Sequence, residues 1–171
     1  MTHPFKQPPR ELDRDAFVDR FGGVYEHAPW IAEMVFEAGL MPRHDSPSGL
    51  HEAMKKIVEA APRDRQLALL RAHPDLGGRL ATAGETSRQS ASEQSGAGLD
   101  QCTPEEFARF AALNKAYNAK FGFPFLVAVK GKSRGEILAA FEARSNNDGE
   151  SEFRTALDEV HKIALFRLRD L

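Results

Sequence analysis

The stretch TPEEFARFAALNKAYNAKF, residues 103–121, carries the signals of a long amphipathic helix. Thr103 and Glu106 have the spacing of a capping box, and Pro104 occupies the first helical position, where its missing N–H costs no hydrogen bond. One face of this helix would carry Phe107, Phe110, Ala111, Asn114, Tyr117 and Phe121. The pattern therefore predicts a helix that packs one side against a core.

Two further helices are predicted after this stretch. Ser133 and Glu136 form a second possible capping box, which opens a helix to about Arg144, and NNDG predicts the turn that follows it. On the last helix the apolar stripe consists of Phe153, Leu157, Val160, Ala164 and Leu171. Arg167 falls on this stripe.

Four helices are predicted before residue 73. They cover residues 13–21, the stretch from Pro29 to Gly39, the stretch from a cap at Ser48 to Ala61, and residues 63–72. Their predicted core-facing residues are Ala16, Phe17 and Phe21 on the first, Trp30, Ile31, Met34 and Val35 on the second, and Leu50, Met54, Ile57, Val58 and Ala61 on the third.

The only strand-like run is FGFPFLVAV, residues 121–129. Because a single strand has no partner with which to form a sheet, we interpret it as a short extended buried segment. The fold class expected is all-α, with about eight helices in one domain that spans residues 1–171. Residues 1–11, which are rich in proline, are expected to form a loosely ordered leader.

The composition excludes several classes of partner and site. A net charge of −2 gives no electrostatic reason to expect nucleic acid or an anionic membrane, and no apolar run is long enough to span a bilayer. Cys102 is the only cysteine, so neither an intrachain disulfide nor a cysteine-based zinc site is expected. The histidines at 27, 44, 51 and 161 share no metal-ligand spacing, and no phosphate or dinucleotide loop occurs. We expect a cytoplasmic protein.

His73 is the first candidate for chemistry. Pro74 disfavours helical backbone at His73, so this residue lies at the C-terminus of a predicted helix, where the helix dipole favours the imidazolium form. A proton donor near neutral pH would suit that position. The alternative interpretation is a surface or capping histidine without a catalytic role.

A second group of polar residues lies in TSRQSASEQSGAGL, residues 86–99. Ser90, Glu93, Gln94 and Ala97 would share one face if this segment were helical. Its composition alone equally suits a flexible linker.

Two more polar residues interrupt apolar faces. Arg167 requires an anionic or carbonyl partner, which is either an internal carboxylate or an acidic substrate. Asn114 could support the site indirectly by hydrogen-bonding a neighbouring loop.

Taken together, the motifs closely resemble those of the 2-oxo-4-hydroxy-4-carboxy-5-ureidoimidazoline (OHCU) decarboxylases, which form (S)-allantoin in the last of three steps of urate degradation. The resemblance rests on EHAPW (26–30), AHPDLGGRLA (72–81), SASEQSGAGL (90–99), LNKAYNAKFGFPF (113–125) and KIALFRL (162–168). These pieces cover nearly the whole chain. Two places depart from the pattern: Ala28 stands where a serine is common, and Leu126-Val127-Ala128 varies the apolar run.

The resemblance implies an all-helical fold, frequently a homodimer, that works on its small-molecule substrate without a metal or other cofactor. It implies that His73 is the catalytic proton donor and that Glu93 and Gln94 form a ligand-binding pair. We further expect Glu93 to act in catalysis by pairing with His73. The residues that it assigns to substrate binding are Pro74, Ser90, Gln94, Phe125, Leu126, Val127, Ala128, Val129 and Arg167. Two other functions stay open: an enzyme acting on a related ureido-heterocyclic acid, and a helical binding module without catalysis.

Overall fold

The computed structural model describes residues 3–77 and 87–171. In these residues the chain forms eight α-helices and no strand, which confirms the all-α prediction. The helices are α1 (Arg14–Phe21), α2 (Pro29–Glu37), α3 (Pro47–Ala60), α4 (Arg63–Arg71), α5 (Arg88–Gly96), α6 (Pro104–Phe121), α7 (Arg134–Arg144) and α8 (Gly149–Arg169). Short 3-10 helices cover Pro9–Glu11, Pro42–Asp45 and Leu99–Gln101. Residues 78–81 of the glycine turn and Thr86 lie outside the described residues.

Of the three predicted helix caps, two are confirmed and one is wrong. The capping boxes of Thr103 with Glu106 and of Ser133 with Glu136 are both present. Helix α3, however, is capped by Ser46, whose Oγ accepts a hydrogen bond from the N–H of Gly49 at 3.2 Å. The predicted cap at Ser48 is wrong because Pro47 suits the first helical position, which makes the residue before it the cap.

Five predicted core-facing residues are instead exposed: Ala16, Met34, Phe107, Ala111 and Leu171. On α2 the buried residues are Ile31, Ala32 and Val35, so the buried stripe is centred away from Met34. On α6 Leu113 is buried together with Phe110, Asn114 and Tyr117, which places Phe107 at the edge of the stripe. Leu171 lies beyond the last helical residue, where helical periodicity no longer applies.

The chain comprises two compact units. The first consists of residues 1–69 and 161–171, and the second of residues 70–160. The expectation of one domain stays a prediction. In the first unit Phe5 is buried, and its N–H donates to the carbonyl of Asp45 at 2.9 Å. Phe5 and Pro9 are thus buried in this unit, and the loosely ordered leader expected over residues 1–11 stays a prediction.

The core of the second unit is aromatic. Phe125 and Phe141 stack with their ring centroids 4.0 Å apart, and Tyr117 meets both rings edge-on. Every residue from 123 to 129 is buried, and residues 124–129 have no regular secondary structure. This 123–129 segment agrees with the prediction of a short buried stretch without a strand partner. In the described residues no helix combines the length and the hydropathy that a membrane span requires.

Candidate active site

His73 lies two residues beyond the end of α4 and is 8% exposed. Its N–H donates to the carbonyl of Leu70 at 3.3 Å, and Pro74 follows it. The helix therefore ends where the proline rule predicts. Because the side chain is buried, the interpretation of His73 as a surface histidine is wrong.

Side chains from two helices of the second unit hold the loop that begins at His73. The amide oxygen of Gln94 accepts from the N–H of Gly77 at 3.2 Å, while its nitrogen faces the carbonyl of Asp75 at 3.5 Å. From α6, Asn114 Nδ2 donates to the carbonyl of Leu76 at 2.8 Å. The hydrogen bond from Asn114 to a neighbouring loop, which the sequence analysis considered, is therefore present, and the loop is residues 73–77.

Gly77 is required by the backbone of this loop. Its φ is +61°, which lies in the left-handed region that disfavours residues with a Cβ. A Cβ at this position would lie 2.8 Å from Cγ of Phe110, closer than normal van der Waals contact. The glycine thus permits both the turn and the close approach to the aromatic core.

The Ser-rich segment is helical, so its interpretation as a flexible linker is wrong over residues 88–96. The Oγ of Ser87 accepts from the N–H of Ser90 at 3.1 Å and caps the helix. Ser90 and Gln94 are both 5% exposed, and Glu93 is half-buried beside them. The predicted polar face of α5 is therefore its buried face.

The backbone of the 123–129 segment is held by two charged side chains that the sequence analysis did not single out. Arg144 Nη1 donates to the carbonyl of Leu126 at 2.7 Å, and Glu159 Oε2 accepts from the N–H of Ala128 at 2.7 Å. The sequence contains a pattern that could have pointed to Glu159. Glu159 lies seven residues after Glu152, so two acidic residues recur on the buried side of α8 at helical spacing.

Arg167 belongs to the first unit and is 5% exposed, as its place on the apolar stripe predicted. Its Nη2 donates to Oε2 of Glu26 at 2.9 Å, and its Nη1 lies 3.3 Å from the carbonyl of Val24. The internal ion pair, one of the two alternatives, is therefore present. Glu26 is the first residue of the EHAPW motif.

A second polar network in the first unit links the buried Tyr25 and His161 to the exposed Glu59. The hydroxyl of Tyr25 lies 2.8 Å from Nδ1 of His161, and Nε2 of His161 lies 3.0 Å from the Glu59 carboxylate. Burial lowers the pKa of His161 to about 4, although Glu59 opposes this shift. In residues 3–77 and 87–171 no three potential ligand side chains are grouped as a metal site.

Comparison with known proteins places these features in one family. The family model described as OHCU decarboxylase matches residues 10–169. A 2-oxo-4-hydroxy-4-carboxy-5-ureidoimidazoline decarboxylase of Haloferax volcanii is 46% identical over 164 residues, which cover 96% of this chain and 94% of the relative. A bifunctional uric acid degradation protein of Bacillus subtilis is 42% identical over 161 residues, but the match covers only 31% of that longer protein.

Two solved structures resemble the fold. One is an (S)-allantoin synthase with 33% identity and a TM-score of 0.73, matched over 94% of this chain and 51% of its own. The other is an OHCU decarboxylase crystallised in the presence of (S)-allantoin, with a TM-score of 0.67 over 93% of this chain and 97% of its own. At 22% identity, the second structure supports the fold alone.

Proposed function

The chain belongs to the OHCU decarboxylase family, and we propose that it converts OHCU to (S)-allantoin with His73 as the proton donor. It is thus a carboxy-lyase of urate degradation. The observation that carries the assignment of His73 is its burial at the end of α4, on a loop that Gln94 and Asn114 hold in place. A fixed imidazole of this kind suits proton delivery to one face of a bound ring.

The reaction requires one bond to break and one proton to be added. The bond between C4 and the carboxylate breaks, its electron pair is taken up by the ring system, and carbon dioxide leaves. One proton is consumed overall. We assign its delivery to His73, and attack from one face would fix the S configuration. The protein contributes chiefly by orienting the carboxylate and stabilising the developing charge.

Glu93 and the neighbouring residues of α5 have proposed roles in holding the substrate. Glu93 would accept a hydrogen bond from the 4-hydroxyl and pair with His73, and Ser90 and Pro74 would line the same site. Gln94 would bind ureido or ring amides. Its carboxamide has two donor and two acceptor positions, and the loop contacts use one of each. Counting contacts with the described residues, one position for a ligand remains on the carboxamide oxygen and one on its nitrogen.

The remaining assignments rest on the family motifs. Backbone groups of residues 125–129 would bind the ureido and ring amides, and Arg167 would bind a carbonyl or carboxylate oxygen. We further propose that the enzyme works without a cofactor, as a homodimer, in the cytoplasm. The first two properties are those that the family resemblance implies, and the location is the one expected from the composition.

The function is tested by making the unstable substrate in place. Urate is supplied with the two upstream enzymes, this protein is added, and product is followed by circular dichroism. A rapid rise of the (S)-allantoin signal, in proportion to the protein added, is the expected result. Formation of racemic product at the rate of the protein-free control would reject the function and favour a binding module. Competition by allantoin, compared with open-chain ureido acids, separates OHCU from related substrates.

A further inference from the structure

The 123–129 segment receives its only side-chain hydrogen bonds among the described residues at two alternate positions. The Leu126 carbonyl accepts from Arg144, and the Ala128 N–H donates to Glu159. Each of these two groups shares a trans peptide unit with Val127, so the Val127 N–H points away from the Leu126 carbonyl and the Val127 carbonyl points away from the Ala128 N–H. Arg144 on α7 and Glu159 on α8 therefore hold the two peptide units that flank Val127.

Arg144 is itself fixed in a buried cluster. Its guanidinium donates to Glu152 through Nε at 3.2 Å and Nη2 at 3.0 Å, and its Cζ lies 4.4 Å from the ring centroid of Phe125. The Glu152 side chain is fully buried and also accepts from the hydroxyl of Tyr117. Although burial opposes it, these hydrogen bonds lower the pKa of Glu152, so the carboxylate stays charged. The cluster is a rigid support for the Leu126 carbonyl.

Val127 lies between the two held positions, and its own N–H and carbonyl point away from the groups that Arg144 and Glu159 hold. Val127 is 5% exposed, and neither its N–H nor its carbonyl has a hydrogen-bond partner in the described parts of the chain. Burying an N–H and a carbonyl without hydrogen-bond partners costs free energy. A bound ligand could supply the partners for these two groups of Val127. A donor and an acceptor on one residue match the paired N–H and C=O groups of a urea or cyclic amide.

We propose that Glu159 and Arg144 are positioning residues, which orient the 123–129 segment so that the N–H and carbonyl of Val127 bind the amide-type edge of the substrate. This inference rests on the proposed function and deepens it, because it names the side chains that make a backbone binding site directional. Neither side chain is required to touch the substrate. Glu159 and Arg144 act by fixing the direction in which the Val127 N–H and carbonyl point.

The test replaces Glu159 with three side chains. Glu159→Gln keeps an oxygen that accepts from Ala128 and is expected to stay within about threefold of the wild-type KM. Glu159→Leu keeps the approximate size and removes the acceptor, and is expected to raise KM by about tenfold, the effect of losing roughly one hydrogen bond to the substrate. Asp158→Leu, at the exposed neighbouring position on α8, is the matched control and should leave KM unchanged.

A spectroscopic measurement separates positioning from loss of structure. With (S)-allantoin as the probe, the amide resonance of Val127 should shift in the wild-type protein and in Glu159→Gln, but not in Glu159→Leu at the same concentration. If the leucine variant does not fold, Glu159→Asp gives the same test, because it withdraws the carboxylate by one methylene group. A folded Glu159→Leu or Glu159→Asp variant with wild-type KM and a wild-type Val127 shift would overturn the proposal. Absence of turnover in the wild-type protein would instead reject the proposed function.

Discussion

The carboxamide oxygen of Gln94 accepts a hydrogen bond from the N–H of Gly77 at 3.2 Å. This contact ties α5 to the loop that begins at His73, across seventeen residues of sequence. Because the loop is anchored from α5 and from Asn114 on α6, the backbone on which His73 sits is fixed by tertiary contacts as well as by Pro74. The proposed proton donor is therefore supported by side chains of two other helices.

Replacing His73 should abolish turnover without unfolding the protein. General acid catalysis is typically worth a factor of about 10² or more, so His73→Asn should lower kcat by at least about a hundredfold. Stereoselective formation of (S)-allantoin gives the rate, and far-ultraviolet circular dichroism gives the helix content. The matched control is His27→Asn. His27 is exposed and has a φ of +49°, a conformation that asparagine tolerates. A His73→Asn variant that keeps more than about a tenth of the rate would remove His73 from the role.

Gly77→Ala should destabilise the protein more than the same change at Gly131. Both glycines have positive φ, which costs a residue with a Cβ about 1 kcal/mol or more. Only at Gly77 would the added Cβ press against the Phe110 ring, whereas Gly131 has no atom within 4 Å. Urea unfolding should show a loss of about 1 kcal/mol for Gly131→Ala and about 1–3 kcal/mol more for Gly77→Ala. Equal losses in the two variants would contradict the packing argument.

Breaking the buried ion pair between Glu26 and Arg167 should be costly. Their side chains are 0% and 4% exposed, so Arg167→Met leaves a buried carboxylate and should lower the free energy of unfolding by about 3–5 kcal/mol. The exposed pair of Arg14 with Glu33 gives the comparison, and Arg14→Met should cost less than about 1 kcal/mol. The double replacement Glu26→Leu with Arg167→Met should recover part of the loss. Strictly additive losses would show that the two residues do not interact energetically.

Stability should fall on mild acidification because of His161. In the folded protein its pKa is about 4, whereas an unperturbed histidine titrates near 6.5. The unfolded chain therefore binds more protons between these values, and its population rises as the pH falls from about 6.5 towards 4. From pH 7.5 to 5.5 this one group should lower the free energy of unfolding by about 1 kcal/mol.

The measurement compares urea unfolding of the wild-type protein and His161→Phe at both pH values. Tyr25, Glu59, Lys55 and His51 surround the ring and stay in place in both proteins. Burial also lowers the pKa of His51, in the same direction, but this contribution cancels in the comparison. The phenylalanine variant should show the smaller pH dependence. The same slope in both proteins would rule out His161 as the source.

The sequence by itself determined the helices other than α5, the caps at Thr103 and Ser133, and the place of His73. These features depend on interactions within a few residues of each other: the reciprocal hydrogen bonds of Thr103 with Glu106, the restriction that Pro74 imposes on His73, and the helical spacing that puts Arg167 on a buried face. Two errors are small. The cap of α3 lies at Ser46 and not at Ser48, and the buried stripe of α2 excludes Met34. Local sequence patterns locate a helix better than they locate its first residue or the edge of its buried face.

Only the tertiary structure decided which polar groups meet. Arg167 pairs with Glu26 across 141 residues of sequence, Asn114 binds Leu76 across 38, and Glu159 binds Ala128 across 31. Such partners cannot be predicted from one sequence, because a hydrogen bond depends on positions to within a few tenths of an ångström, which the packing of distant helices sets. The sequence shows that a buried arginine needs an anion, but only the folded chain shows which anion is within reach.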